Sequence, residues 1–297
     1  MLQDKTLDEL RAKIDQIDDA MHDLLILRAE VTHAVARVKR TDASAVPAPP
    51  AMRPGREAQI LRRLLTRHRG SLPPRFIIRI WREIMAASLQ AQAKFDLHVY
   101  AGDNQREFID LATAYFGSLT PLRSHARASL VVLACAEQPN SLGVVPAAKS
   151  EQGIPWWAQL AAAGQPGPRV LAKLPFLLDG EETELSAYAI GAVEQEDTGD
   201  DTTLLRLETS RALTKAVLND LLKTAGIEAE QIAAGRTADK SAKGFMLLAA
   251  RGFVAGADPR LERLRRESDA IVGIDPVGGF ANPFVLQAED EADDPRT

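Results

Sequence analysis

Between residues 7 and 38 the apolar side chains fall at Leu7, Leu10, Ile14, Ile17, Met21, Leu24, Val31, Val35 and Val38, and Arg28 fills the one remaining step of the series. Steps of three and four residues keep every member on one stripe of a helix, so the spacing predicts a single long helix from Leu7 to Arg40, packed against other helices. Aspartates lead it and basic residues close it, as the helix dipole favours. A guanidinium on such a stripe loses its water at a cost in free energy unless an anion accompanies it. Arg28 therefore asks for a carboxylate or phosphate, and a bound substrate would supply one.

The Pro/Ala-rich run Thr41 to Pro54 cannot continue that helix. A second helix is predicted from Gly55 to Arg69, apolar at Ile60, Leu61, Leu64 and Leu65, with Gly70 as its stop. Pro73-Pro74 opens a third, carrying Phe76, Ile77, Ile80, Trp81, Ile84, Met85 and Leu89 on one stripe and ending near Lys94. Residues 1–94 thus read as an all-α three-helix domain. Beyond Phe95 short β-branched runs alternate with helices. Leu97–Ala101, Ser129–Ala136, Gly143–Pro146 and Arg169–Leu178 read as strands and Arg106–Phe116 as a helix, an α/β domain over 95–198. Past the acidic linker Glu194–Asp201 the order is strand Thr203–Glu208, helix Ala212–Ala225, strands Ile227–Gly235 and Phe245–Ala250, helix Asp258–Glu267 and strand Ala270–Ile274. That βαββαβ order is ferredoxin-like and spans 199–284. Residues 285–297 form an acidic tail, expected to be disordered. The whole is a multidomain α and α/β chain.

Charge separates along this division. Residues 1–95 hold 17 Lys and Arg against 11 Asp and Glu, a net of +6, which leaves −11 for the remainder of a chain whose formal charge is −5. The helical part is the basic part. No apolar run approaches the roughly 18 residues of a membrane span, and the start shows no export signal, so a cytoplasmic protein is expected. The single Cys135 sits in the apolar run Leu130–Ala136 and reads as a buried structural thiol. No Gly-rich phosphate loop or Cys/His metal spacing occurs, so no cofactor is expected.

Arg28 and Lys39 lie 11 positions apart, nearly three helical turns, so they share a face about 16 Å apart along the axis. Two long cationic side chains leaning together can span one small dianion. Arg11 is about 42 Å from Lys39 on the same helix, so it can join that site only from a second subunit. Arg56-Glu57, in the first turn of the second helix, and Ser88 with Gln92, spaced i,i+4 on the third, add polar groups to packing faces. Taken singly, Arg11 and Lys39 also suit a solvated helix face. Arg28 can instead pair with an acid of a neighbouring helix, and Arg62, Arg63, Arg67 and Arg69 suit a solvated face of the second helix.

The run Leu7-Asp8-Glu9-Leu10-Arg11-Ala12-Lys13-Ile14-Asp15, then Leu27-Arg28, Val38-Lys39, Arg56-Glu57 and Ser88-xxx-Gln92, resembles the all-α chorismate mutases over residues 1–93. The resemblance implies an intertwined homodimer that rearranges chorismate to prephenate with no nucleophile, metal or cofactor. It implies that Arg28 and the partner chain's Arg11 hold the two carboxylates, and that Lys39 and Gln92 hydrogen-bond the ether oxygen. Glu57 would position the ring hydroxyl, and Arg56 and Ser88 would complete the cationic wall. The linker before Arg56 is longer than in the family, and Arg53 and Gly55 stand where an acid is common.

The rest of the chain resembles a degenerate prephenate dehydratase followed by an ACT-like domain. Leu111-Ala112-Thr113-Ala114-Tyr115-Phe116-Gly117 and Leu142-Gly143-Val144-Val145-Pro146 carry the likeness, with Ser150 beyond that proline. Ala148-Lys149-Ser150 replaces Glu-Asn-Ser, and Ser186-Ala187-Tyr188 replaces Thr-Arg-Phe, so the arginine that would bind substrate is missing. Arg211-Ala212-Leu213 and Gly235-Arg236-Thr237 likewise depart from the phenylalanine-binding signatures. The resemblance thus implies a chorismate mutase carrying an inactive dehydratase-like half. A bifunctional mutase and dehydratase regulated by phenylalanine is one alternative. A non-enzymatic dimeric helical regulator with a metabolite-sensing C-terminal domain is another, disfavoured as a nucleic-acid binder by the acidic overall charge.

Overall fold

In a computed structural model, the residues described are 6–41, 52–138, 140–149, 151–152, 154–179, 185–236 and 244–286. The chain divides into two compact units, Met1–Ala48 and Pro49–Thr297. The first is one helix, α1 (Leu7–Thr41). A capping box starts it: the Glu9 amide donates to the Thr6 hydroxyl at 3.3 Å while the Thr6 amide donates to the Glu9 carboxylate at 2.8 Å. The Thr6 amide and hydroxyl, both donating to it, hold the Glu9 carboxyl below its usual range. The stripe predicted for packing is exposed in the single chain at Leu7, Ile14, Ile17, Met21, Leu24, Val31, Val35 and Val38.

The second unit opens with α2 (Pro54–Arg67) and α3 (Pro74–Gln92), each with proline in its first turn, where the missing N–H costs nothing. Then follow β1 (Asp96–Tyr100), α4 (Gln105–Phe116), β2 (Leu122–His125), α5 (Ala128–Glu137), β3 (Ser141–Pro146), β4 (Glu151–Gln152), a 3-10 turn at Trp156–Gln159, β5 (Arg169–Leu174), β6 (Leu177–Asp179) and β7 (Ala187–Gly191). β1 runs parallel to both β2 and β3, as two crossover helices require, and β7 and β5 continue antiparallel.

One predicted strand is a helix. Ser129–Ala136 lies within α5, where Val131, Val132 and Cys135 are buried and Leu133 is half exposed, a helical pattern. A short apolar run has no periodicity to separate the two states, and the three alanines of α5 tip it to helix. Cys135 is buried as expected, and burial pushes its thiol up to about 12.

The C-terminal part contains β8 (Asp201–Thr209), α6 (Lys215–Ala225), β9 (Ala229–Arg236), β10 (Gly244–Arg251), α7 (Pro259–Arg266), β11 (Ile271–Ala281) and β12 (Phe284–Leu286). Its four long strands stand in the order β11-β8-β10-β9, the ferredoxin-like arrangement that the sequence order predicts. β12 pairs with β6, so residues 285 and 286, assigned above to the tail, are in a strand, while 287–297 lie outside the described residues. α6 and α7 cover one face through Leu218, Leu222, Leu261 and Leu264. The other face turns Leu204, Leu247, Val277 and Phe280 onto Trp156, Trp157 and Tyr188 of the α/β part.

The two sheets are one. β11 meets β5 at Gly278 and Val170, closing a ten-stranded order β2-β1-β3-β7-β5-β11-β8-β10-β9-β4. β3 and β4 are five residues apart in sequence yet seven positions apart in that order. Seven flat spacings cover about 33 Å, whereas five residues reach about 18 Å, so the sheet must roll over on itself.

At the opposite edge His98 of β1 is buried, its Nδ1 2.8 Å from Nε2 of His125 on β2. Burial first, then the neighbouring His125, depress the His98 pKa below 6.5, with Asp96 opposing and Arg123 assisting. The unfolded chain therefore takes up the proton first, and stability should fall as pH drops below about 6.5. Thermal melts from pH 7.5 to 5.5 should show a decline that His98→Gln flattens; an unchanged slope in the variant would refute the assignment.

Candidate functional site

The seven candidate residues divide between the units. On α1, Arg11 is exposed and lies 3.6 Å from Asp8, a pair between exposed groups that adds little. Arg28 is half-buried, and desolvation pulls its pKa down, as its place on an apolar stripe demands. Lys39 lies on α1, but its side chain is outside the described residues.

On α2, Arg56 faces solvent while Glu57, about 100° around the helix, turns inward. The Glu57 carboxylate accepts a hydrogen bond at 2.8 Å from Nη1 of Arg82, whose side chain is only 3% exposed. Burial raises the Glu57 carboxyl above its ordinary 4.5, against the pull of Arg82. On α3, Ser88 donates to the Ile84 carbonyl at 2.8 Å, and Gln92 Nε2 donates to the Ser88 carbonyl at 3.1 Å, so the two stack along one face.

Arg82 is the residue that the sequence reading passes over. It falls on the series Ile78, Arg82, Met85, Leu89, a cation on an apolar stripe, which is the signal that singles out Arg28. Its guanidinium stacks 3.8 Å from the centroid of the Tyr115 ring on α4. Burial pushes that phenol up to about 12, so Tyr115 stays neutral. Two further contacts seat α3 on α4. The Glu83 carboxylate accepts from the Ser118 amide at 3.0 Å, and Gly117, at φ +86°, leaves room that a Cβ would close to 2.6 Å from Ala86.

α2 is tied down as well. Arg53 donates to Glu196, and Arg62 donates to the Thr198 hydroxyl, Asp200 and the Asn282 carbonyl. Arg62 is thus not part of a solvated face, whereas Arg63, Arg67 and Arg69 are exposed as expected. The acidic run read as a linker supplies the partners of both cations.

In the α/β part Ser150 lies outside the described residues. Ala187 is fully buried at the start of β7, and Tyr188 beside it stacks on Phe280 at 5.7 Å. In the ferredoxin-like part Arg211 is exposed, and the Arg236 side chain and Thr237 are outside the described residues. Among the described residues no His, Cys, Asp or Glu cluster suits a metal, and no helix is long and apolar enough to cross a membrane.

Residues 10–93 match the family described as Chorismate mutase type II. A bifunctional chorismate mutase/prephenate dehydratase of Pseudomonas aeruginosa is 30% identical over 147 residues, which cover 50% of this chain and 40% of that protein. The match is longer than the helical segment and so extends into the α/β part, yet it spans well under two thirds of the relative. Two solved structures, a quorum quenching acylase (TM-score 0.41, 10% identity, 67% of this chain and 98% of that one) and the prephenate dehydratase of Streptococcus mutans (TM-score 0.38, 14% identity, 65% and 100%), overlap the chain more distantly. The helical residues 10–93 are thus similar to chorismate mutase type II, and they precede an α/β body that ends in a ferredoxin-like arrangement.

Proposed function

We propose that this protein converts chorismate to prephenate in a homodimer, and that its α/β half does not dehydrate the product. Arg28 carries the reading: it stands on the apolar stripe of α1, inside the matched segment, at the position where the resemblance puts one of the two carboxylate clamps. The exposed stripe on either side of it supports pairing with a second copy, which would bring in the partner's Arg11. Lys39 and Gln92 would stabilise charge that builds on the ether oxygen as the C–O bond breaks, and the cationic clamp would hold the reactive chair. Arg82 occupies Oε2 of Glu57, and the second carboxylate oxygen would accept from the ring hydroxyl.

A second reading is the bifunctional enzyme, favoured by the activity of the Pseudomonas aeruginosa relative. Against it stands Ala187, a buried methyl where a substrate-binding arginine is expected. Purified protein incubated separately with chorismate and with prephenate at neutral pH, followed by chromatography, should consume chorismate, accumulate prephenate and leave prephenate intact. Phenylpyruvate above the spontaneous background would establish the bifunctional reading. Turnover of neither substrate would sink both and favour a non-enzymatic dimer, for which Arg28→Ala should be harmless or stabilising.

A further inference from the structure

Glu57 is the group that the proposed reaction asks to accept from the ring hydroxyl, and its surroundings oppose that task. The side chain is 17% exposed, and Met52, Met85, Leu89 and Phe116 share a gap of about 10 Å³ beside it. Burial raises its carboxyl above 4.5, and the nearby Glu196 adds to the rise. A carboxyl that has taken up a proton is a weaker acceptor than a carboxylate. Arg82 on α3, 25 residues along the chain, acts the other way, donating from Nη1 to Oε2 at 2.8 Å. Among the described residues no other group bonds that carboxylate, so Oε1 is left over.

The Arg82 guanidinium is itself held in place. It lies 3.8 Å from the centroid of the Tyr115 ring and 5.7 Å from that of Phe176, and its side chain is 3% exposed. Both rings belong to the α/β body. Tyr115, raised to about 12 by burial, stays neutral and does not compete with Glu57 for the cation. A planar fork fixed against aromatic rings offers its N–H groups in one plane, so the oxygen that it takes is set and so is the one that it leaves. We propose that Arg82 is a positioning residue of the mutase site, acting through Glu57 by holding Oε2 so that Oε1 is presented to the ring hydroxyl of chorismate. The proposal rests on the chorismate reading above. It gives the α/β body a part in the mutase, since rings that never touch substrate set the acceptor that does.

The test is steady-state turnover of chorismate by the full-length protein from about pH 5 to 9, with circular dichroism of each variant as the check on folding. In the wild-type protein KM should rise as pH falls through the raised Glu57 pKa, and Glu57→Gln, which cannot titrate, should abolish that acid limb. Arg82→Gln should raise KM by about tenfold or more at neutral pH and change kcat little, because the hydroxyl contact is the same in the ground and transition states. The loss should shrink toward alkaline pH, where the unpaired carboxyl ionises at last. Arg82→Lys restores the charge and should return the limb toward its wild-type position. In a Glu57→Gln background, Arg82→Gln should add nothing to KM. Wild-type turnover with KM unchanged in a folded Arg82→Gln protein, or raised equally at every pH, overturns the proposal and leaves the mutase reading standing. No turnover by the wild-type protein overturns both. If Arg82→Gln does not fold, the other two variants decide: an acid limb that survives in Glu57→Gln, or that Arg82→Lys leaves displaced as far as total loss of activity, removes Arg82 from the site.

Discussion

Replacing Arg82 by methionine should cost about 3–5 kcal/mol of unfolding free energy, because it leaves the Glu57 carboxylate buried without its partner. Methionine keeps much of the stem's volume, so lost packing is a minor part of the change. The cation–π contact with Tyr115 is lost too, a smaller contribution of about 0.5–2 kcal/mol. Urea denaturation followed by circular dichroism measures the sum. The deficit should be largest at neutral pH and shrink in acid, since Glu57, already raised by burial, takes up a proton and stops needing a cation. A double variant with Glu57→Leu should recover much of the loss. A single-variant cost below about 1 kcal/mol would mean that solvent reaches the carboxylate once the guanidinium is gone.

Lys39→Ala should lower kcat for chorismate by about 10²–10³-fold, the scale on which loss of one donor to a developing oxyanion is felt. The ether oxygen gains charge only as the bond breaks, so the contact belongs to the transition state and KM should change little. Arg28→Ala should act differently, raising KM as well, because a carboxylate clamp is present from the moment of binding. Steady-state assays on both variants, with folding checked by circular dichroism, separate the two roles. Full activity in a folded Lys39→Ala protein would remove Lys39 from the site and with it the mechanism proposed above.

The regular periods were legible. α1, α2, α3 and α4 follow their apolar stripes, and the ferredoxin-like order follows from runs of β-branched and aliphatic residues between capped helices, such as Thr214 before α6 and Asp258 before α7. α5 was misread because Leu130–Ala136 has no polar position to set a phase. β2 was missed because an edge strand reading Leu-Arg-Ser-His has little to alternate, and β7 because Ala-Tyr-Ala-Ile-Gly is buried on both faces and rich in small residues. In the site, Arg28 was visible because its neighbours on the stripe are all apolar. Arg82 gives the same signal, but Arg75 and Arg79 dilute it on the same helix. The orientation of Glu57 has no local signature, since it follows from pairing with Arg82 on α3, 25 residues away.

Gly278 sits at φ +103° where β11 meets β5, and a Cβ there would collide with the Val170 backbone. That single bare α-carbon lets the two halves of the sheet share one ladder rather than meet through a linker. A twist of the ferredoxin-like strands would then be handed to β5 through this backbone pairing and not across a flexible linker.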